Sequence, residues 1–147
     1  MKKITSLIVI ALMVSSVAFA AAQKKTISEK DLSGLEGTWE GMLDFGMRTG
    51  LTNSPAVLTI ENDTVPVKFK LTVRNIDPSK ASLLGMFTTE TFEADNGLIT
   101  TEGTLMWKNS ALGMGSFCEV SKGRNDKILN VSYNIRGTTG TGTFYKK

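Results

Sequence analysis

Apolar and polar residues alternate along most of the chain after residue 35, and the alternation is clearest in residues 65–74 and 128–136. In the first of these segments Val, Phe or Leu recurs at every second position, with Lys, Thr or Arg at most of the others. Successive side chains of a β-strand point to opposite faces of its sheet, so both segments predict half-buried strands. Weaker alternation predicts six more strands, at residues 38–45, 56–62, 84–94, 98–108, 115–122 and 140–145.

Turn-forming residues separate these strands. They are Asn62-Asp63, Asp77-Pro78, Asp95-Asn96-Gly97, Lys108-Asn109-Ser110, Gly123-Arg124-Asn125-Asp126 and Gly137-Thr138-Thr139-Gly140. The run Asp95-Asn96-Gly97 is the strongest hairpin signal, because two-residue hairpin turns favour residues that tolerate positive φ.

Glycines inside the predicted strands are typical of places where a sheet bends. They are Gly41, Gly85, Gly103 and Gly142. Such glycines accompany bulges and corners in sheets that curl into barrels. The predicted fold class is therefore all-β, a small antiparallel up-and-down barrel of about eight strands, with a β-sandwich as the alternative.

The first twenty residues have the features of a cleaved secretory signal peptide. Lys2 and Lys3 precede an unbroken apolar run over residues 7–14, and Ala18-Phe19-Ala20 fits the small-x-small cleavage pattern. The apolar run is shorter than the roughly 20 residues that cross a bilayer. We therefore expect cleavage after Ala20, no membrane span and a periplasmic or secreted location.

The domain organisation follows from this leader. Residues 1–20 are the predicted signal peptide, residues 21–35 a polar N-terminal segment, and residues 36–147 a single barrel domain. Within the polar segment, Ser28 followed three residues later by Asp31 predicts a capping box and one helical turn. Several short strands and an aromatic content of 7% are unlike an outer-membrane barrel, which needs strands of about 9–11 residues and aromatic girdles.

Charge and missing residue types exclude several function classes. The chain has 17 Lys and Arg against 14 Asp and Glu, and cleavage removes Lys2 and Lys3, which leaves 15 against 14. A nearly neutral mature chain does not indicate a nucleic-acid partner. The chain has no His, which excludes Ser-His-Asp and Cys-His nucleophile systems and the commonest zinc ligand.

The cysteine, the methionines and four glutamates each allow both a structural and a functional interpretation. Cys118 is the only cysteine, so it is either a small buried side chain or a thiol available for an intermolecular bond. Methionine thioethers with Trp107 and Cys118 form either a soft Cu(I) site or ordinary core packing. Candidate carboxylates for acid–base catalysis lie in predicted strands, where an outward orientation would leave them solvated. They are Glu90, Glu93, Glu102 and Glu119.

The run Gly37-Thr38-Trp39 opens the first predicted strand, directly after the predicted helical turn. It resembles the Gly-x-Trp opening of the calycins, which include the lipocalin, fatty-acid-binding and avidin-like barrels. The resemblance implies a short helix that closes one end of the barrel and a basic residue from the last strand, Arg136 or Lys146, over the Trp ring. The avidin-like branch matches best in length, but the chain has only two Trp residues, so biotin binding is not implied.

The pattern and the resemblance together predict a binding protein that holds a small, mainly apolar ligand inside the barrel, near Trp39, Phe69, Trp107 and Tyr133. No cofactor and no metal are predicted. The alternative is an envelope interaction or inhibitor-type protein with a filled barrel and no small-molecule ligand. A His-free enzyme that uses carboxylates is the third hypothesis. A ligand binder needs an interior pocket of about 300 Å³ or more, whereas a packed interior favours the interaction protein.

Overall fold

The computed structural model of the chain describes residues 25–46, 53–74, 89–109, 115–135 and 137–147. The predicted signal peptide, the predicted turn at Asp77-Pro78 and the predicted strand glycine Gly85 lie outside these residues. None of the helices in the described ranges is long and apolar enough to cross a membrane.

Eight strands follow a short N-terminal helical segment. A 3₁₀ turn at Glu29–Asp31 continues into helix α1 at Leu32–Leu35. The strands are β1 at Gly37–Asp44, β2 at Ser54–Ile60, β3 at Val67–Val73, β4 at Glu90–Ile99, β5 at Leu105–Lys108, β6 at Phe117–Lys122, β7 at Ile128–Ile135 and β8 at Thr138–Lys146. Each strand pairs antiparallel with the next, and β8 pairs with β1, which closes the barrel. The predicted eight-stranded barrel is confirmed, and the sandwich alternative is wrong.

Alternating burial along the strands places one face of each strand inside the barrel. In β3, for example, Val67 and Phe69 are buried while Lys68 and Lys70 are exposed. The apolar residues on the inner faces of the strands are Trp39, Leu43, Ala56, Leu58, Ile60, Val67, Phe69, Leu71, Val73, Phe92, Leu105, Trp107, Cys118, Val120, Leu129, Val131, Tyr133 and Phe144. They belong to one continuous core, as expected for an eight-stranded barrel whose interior is just wide enough for side chains to fill.

The two ends of the barrel differ in what covers them. Because neighbouring strands run antiparallel, the connections after β2, β4 and β6 share one end with α1, here termed the closed end. The connections after β1, β3, β5 and β7 share the other end, here termed the distal end. A residue's place along its strand therefore tells which end of the interior its side chain faces.

Contacts of the N-terminal segment seal the closed end. The backbone N and the Oγ of Ser28 both donate to Asp31 Oδ2, at 2.8 and 2.7 Å, which confirms the predicted capping box and helical turn. Lys122 Nζ, from the end of β6, lies 2.5 Å from Asp31 Oδ1. The backbone N of Ile27 donates to the carbonyl oxygen of Gly103 at 2.7 Å. Helix α1 buries both of its leucines in the core, so the segment is joined to the barrel by polar and apolar contacts.

The run Asp95-Asn96-Gly97 does not form a hairpin, and that prediction is wrong. These residues lie inside β4, at a shift of register where Val67 of β3 faces Gly97 but Phe69 faces Ala94. The Asn96 side chain bonds to the backbone of Lys108 in β5, donating at 2.7 Å and accepting at 3.2 Å. The Asn96 side chain thus takes the place of a backbone partner for Lys108 at the bulge. Residue types that favour turns, such as Asn and Gly, also occur at bulges.

The connection between β4 and β5 lies instead at residues 100–104. The backbone N of Thr100 donates to Thr104 O at 2.8 Å, and the backbone N of Gly103 donates to Thr100 O at 2.9 Å. Gly103 has a φ of 73°, which only glycine adopts readily. Gly103 and Glu102, both predicted in a strand, therefore belong to a turn.

Strand β8 begins earlier than predicted. Thr138 and Thr139 pair with Ile135 and Asn134 of β7, so they extend the strand and do not turn the chain. Their β-branched side chains favour a strand over a turn. Of the predicted turn residues, Gly137 keeps that role, with a φ of 83°.

Candidate functional site

Trp39 lies at the closed end, near the start of β1. Its indole Nε1 donates to Leu35 O at 2.8 Å, and Lys146 Nζ of β8 lies 5.5 Å from the centroid of the ring. The same Lys146 Nζ donates to Gly34 O at 2.6 Å. A basic residue over this Trp is what the Gly-x-Trp resemblance implied, with Lys146 in that role; Arg136 lies outside the described residues. Trp39 therefore joins the helical segment to the barrel.

The other three predicted ligand residues belong to one aromatic cluster inside the barrel. Phe69 and Trp107 stack with their ring centroids 4.1 Å apart. Phe92 lies 5.3 Å from Phe69 and 6.2 Å from Tyr133. Phe45, just after β1, meets Tyr133 edge-on at 6.0 Å. The structure thus brings Phe69, Trp107 and Tyr133 into one chain of rings, and places Trp39 at the closed end.

The rings of this cluster are almost fully enclosed by protein. Phe45 is the most exposed of them at 5%, and Trp107 and Tyr133 have no exposed surface. An empty space that admits a water-sized probe would expose the side chains that border it. The described part of the interior is therefore packed around these rings.

Three polar side chains are buried at the distal end. Ser54 and Glu90 begin strands β2 and β4, and Ser116 precedes β6. All three follow connections that enter the barrel at the end away from α1, so they share the distal end, whereas a fourth buried polar residue, Thr104, lies at the closed end. A buried carboxylate at the same end of a barrel as buried hydroxyl groups is a common element of binding and acid–base sites.

Glu90 is the only one of the four candidate carboxylates that lies inside the barrel. Cys118 and Val120 are the buried residues of β6, so Glu119 between them faces outwards. Glu93 forms an ion pair with Lys70 on the outer surface of the barrel, at 2.5 Å. With Glu102 in an exposed turn, the four residues do not assemble an interior pair of carboxylates.

Among the residues that the structure describes, the exposed thioether of Met42 and the buried thiol of Cys118 lie on opposite faces of the barrel wall. Cys118 is fully buried, and this burial raises the pKa of its thiol well above the usual range. A protonated, enclosed thiol is a poor nucleophile and metal ligand. Met42 is 52% exposed on the outer face of β1, away from the inward Cys118 and Trp107. Among the residues that the structure describes, no group of three or more Cys, Asp or Glu is arranged to hold a metal ion.

An apolar groove of about 680 Å³ runs across the outer faces of β8, β1 and β2. Its lining includes Glu40, Met42, Val57, Arg74, Thr143 and Tyr145. Met42 and Tyr145 are 52% and 57% exposed and line the same groove, so they form an exposed apolar patch. No motif in the sequence indicates this groove, although the inward position of Trp39 predicts that Met42, three residues later in the same strand, faces outwards.

A second groove, of about 460 Å³, lies on the outer faces of β6, β7 and β8 and is termed here the hydroxyl groove. Its side chains are those of Glu119, Ser121, Asn130, Ser132, Thr141 and Thr143. Thr143 also lines the apolar groove, so the two are neighbours on one continuous surface. A separate groove of about 460 Å³ lies between β4 and β5, where Leu98 is 57% exposed.

No protein-family model matches the chain, and no curated protein matches it. Nine chains of solved structures match. One of them is the crystal structure of a variant of the fluorescent protein UnaG, at 11% identity and a TM-score of 0.39, covering 79% of this chain and 98% of that one. At this level of similarity the assignment as a small closed β-barrel depends on the chain's own strand pairing.

Proposed function

We propose that this protein is an exported binding protein of the cell envelope that recognises its partner with the outer face of its barrel. The observation that carries the proposal is the contrast between the two faces of the strands. The described interior is packed with enclosed rings, whereas Met42 and Tyr145 stand exposed beside a groove of about 680 Å³. On this proposal the contacts of Trp39 at the closed end stabilise the barrel and do not bind a ligand. The signal-peptide pattern supports export.

The packed interior favours a partner outside the barrel. A ligand of ordinary size needs a pocket of about 300 Å³, which here requires the displacement of large side chains from the aromatic cluster. Losing the packing of a single Phe in a core costs about 3–5 kcal/mol. A ligand at the centre of the cluster would have to offset that cost before it gained any affinity.

The outer apolar groove has the opposite energetics. Met42 and Tyr145 already contact water, so a partner that covers them gains their transfer free energy, at about 25 cal/mol for each Å² of apolar surface. Glu40, whose Oε1 accepts from Lys147 Nζ at 2.7 Å, and Arg74 supply charged groups at the rim. An apolar centre with a polar rim is the usual anatomy of a recognition surface.

Site-specific photo-crosslinking in the envelope tests this proposal. A photoreactive amino acid replaces Met42 in one variant of the full chain and Leu98 in the other, since both side chains are exposed to a similar degree. Leu98 lies on β4, on another side of the barrel, and is the matched control. We expect discrete cross-linked species from position 42 that are absent from position 98. Equal yields at the two positions, or no product from either, would overturn the proposal.

The buried polar side chains of Ser54, Glu90 and Ser116 favour a second candidate function. In this alternative the barrel binds a small, mainly apolar ligand at its distal end, where these groups would orient it above Phe45 and Tyr133. Native mass spectrometry of the protein purified from its own compartment distinguishes the two. A stoichiometric, mainly apolar small molecule on the processed chain supports the distal-end ligand, and the bare processed mass contradicts it.

A further inference from the structure

We propose that the hydroxyl groove and the adjoining Tyr145 form a binding site for a neutral oligosaccharide. The inference rests on the proposed function, because it names the ligand class of the same outer face. It is drawn from three features of this surface: the chemistry of the polar lining, the exposed aromatic ring beside it and the arrangement of charges around it.

The register of three strands places the polar side chains in a compact array. Glu119 of β6 pairs with Ser132 of β7, and Ser132 pairs with Thr141 of β8. One step further along the same strands, Asn130 pairs with Thr143, and their side chains approach to 3.5 Å. Strands in a sheet lie about 4.8 Å apart, so the array forms a polar surface roughly 10 Å wide across β6, β7 and β8.

The polar lining matches the hydrogen-bonding character of sugar hydroxyl groups. Ser and Thr hydroxyls and the Asn amide each both donate and accept, as a sugar hydroxyl does. Glu119 adds a charged acceptor, which makes the strongest hydrogen bonds to hydroxyl donors. A ligand that covers these groups must offer partners for them, because a buried polar group without a hydrogen bond is costly. A polyhydroxylated ligand meets this requirement, and an aliphatic one does not.

Tyr145 supplies the apolar contact that such a ligand needs. Its ring is 57% exposed on the outer face of β8, two residues after Thr143. Met42 of β1 pairs with Thr143 and is exposed on the same outer face, on the side of β8 that is away from β7. A sugar ring has an apolar face of C–H groups as well as hydroxyl edges, so a flat aromatic ring next to hydroxyl partners suits both.

The charges around this surface disfavour other polymers. The hydroxyl groove has no Lys or Arg in its lining and contains Glu119, whereas nucleic-acid and anionic-lipid surfaces are rich in basic side chains. Glu40 at the neighbouring rim is paired with Lys147. Arg74 at the same rim offsets Glu119 of the hydroxyl groove, so the combined surface is close to neutral, as expected for a neutral glycan.

Fluorine NMR on the processed chain tests the proposal, because the sequence contains only two tyrosines. Tyr145 is exposed on the outer face and Tyr133 is buried in the aromatic cluster, so 3-fluorotyrosine labelling gives one reporter for each surface. The Tyr145→Phe variant assigns the two resonances. Chitotriose, cellotriose and maltotriose are titrated to about 10 mM, tenfold above a millimolar dissociation constant.

We expect a saturable shift of the Tyr145 resonance with at least one of these trisaccharides, and no shift of the Tyr133 resonance. Asn130→Ala should weaken that binding about tenfold, which corresponds to the loss of one good hydrogen bond. Leu98→Ala, an exposed position outside the surface, should leave it unchanged. If Asn130→Ala leaves the dissociation constant unchanged, the sugar stacks on Tyr145 without using the hydroxyl groove. That result would overturn the proposal.

The remaining outcomes separate this inference from the proposed function. A Tyr145 resonance that none of the trisaccharides moves overturns the glycan site. If photo-crosslinking at Met42 still traps a protein, the outer-face proposal survives with a protein as the partner. A shift of Tyr133 in place of Tyr145 overturns the glycan site on the outer face, because it reports a change inside the barrel.

Discussion

The indole Nε1 of Trp107 donates a hydrogen bond to the carbonyl oxygen of Val67 at 2.7 Å, across the position of Gly97. A Cβ at position 97 would lie 2.2 Å from that nitrogen and 2.7 Å from that oxygen. Trp107 is fully buried, so its donor needs this acceptor. The absence of a side chain at Gly97 is thus what allows β3, β4 and β5 to pack around the indole.

Gly97→Ala should lower the free energy of unfolding by about 2–4 kcal/mol, because the added methyl group overpacks the core and displaces a buried donor from its acceptor. Urea unfolding followed by Trp fluorescence measures the effect. Gly34→Ala is the control, since an added Cβ there meets nothing within 4 Å, and we expect a change of less than about 1 kcal/mol. Equal effects of the two substitutions would contradict the role given to Gly97.

Phe92→Ala should remove about 3–5 kcal/mol of stability, because Phe92 links the rings of Phe69 and Tyr133. The cavity left behind would be apolar, and such cavities take up benzene. We therefore expect benzene to raise the melting temperature of the variant but not that of the wild type. Tyr145→Ala, on the outer face, should change stability by about 0.5 kcal/mol or less. Stabilisation of the wild type by benzene would show that its interior is not filled.

The contact between Asp31 and Lys122 should make stability depend on pH in the acid range. Hydrogen bonds from Lys122, and then from Ser28, lower the pKa of Asp31 from its ordinary value of 3.8 to about 2. The ionised carboxylate therefore stabilises the fold above about pH 4, and this contribution is lost as the pH falls from 4 to 2. For a partly exposed pair we expect about 1 kcal/mol.

The measurement compares Asp31→Asn with the wild type by urea unfolding. The variant should be less stable by about 1 kcal/mol at pH 6, and the difference should nearly vanish at pH 2. Glu93→Gln, which breaks the exposed pair with Lys70, serves as the control and should have a smaller effect at pH 6. A difference for Asp31→Asn that is the same at both pH values would contradict the ion pair.

Cys118 should be unreactive in the folded protein. Its thiol is buried and its pKa is raised by that burial, so the reactive thiolate is both scarce and shielded at pH 8. Ellman's reagent should label one thiol per chain in denaturant and none in its absence. In the Thr141→Cys variant, with a thiol on the outer face, one of two thiols should react without denaturant. Rapid labelling of native Cys118 would favour the intermolecular-disulfide alternative.

Much of the fold could be predicted because its signals are local. The alternation in residues 65–74 sets which side chains of β3 are buried, and Ser28 and Asp31 satisfy each other within one helical turn. Trp39 could be paired with a basic residue of the last strand because of the resemblance in its opening motif, and Lys146 takes that role. These features depend on neighbours in sequence or on the geometry implied by one short motif, so they can be predicted without the rest of the barrel.

The inner and outer faces of β6 show where local signals are insufficient. Alternation alone allows either Phe117 and Glu119 or Cys118 and Val120 to face the interior. The structure buries Cys118 with Val120. That choice fixes Glu119 on the outer face and makes it part of the hydroxyl groove. Pairing with β5 and β7 decides it, because a shift of one residue would move every side chain of the strand to the other face.

The β-strands, the helical turn before them and the supply of apolar residues for one core can be predicted from the amino-acid order, since they depend on local periodicity and composition. The tertiary structure decided that Asp95-Asn96-Gly97 forms a bulge, that the predicted ligand residues pack against one another, and that Met42, Thr143 and Tyr145 share an outer surface. The bulge depends on the pairing of β4 with β3 and β5, and the shared outer surface depends on the pairing of β8 with β1, which places Met42 next to Thr143. Both are contacts between residues far apart in the chain, which local periodicity does not specify.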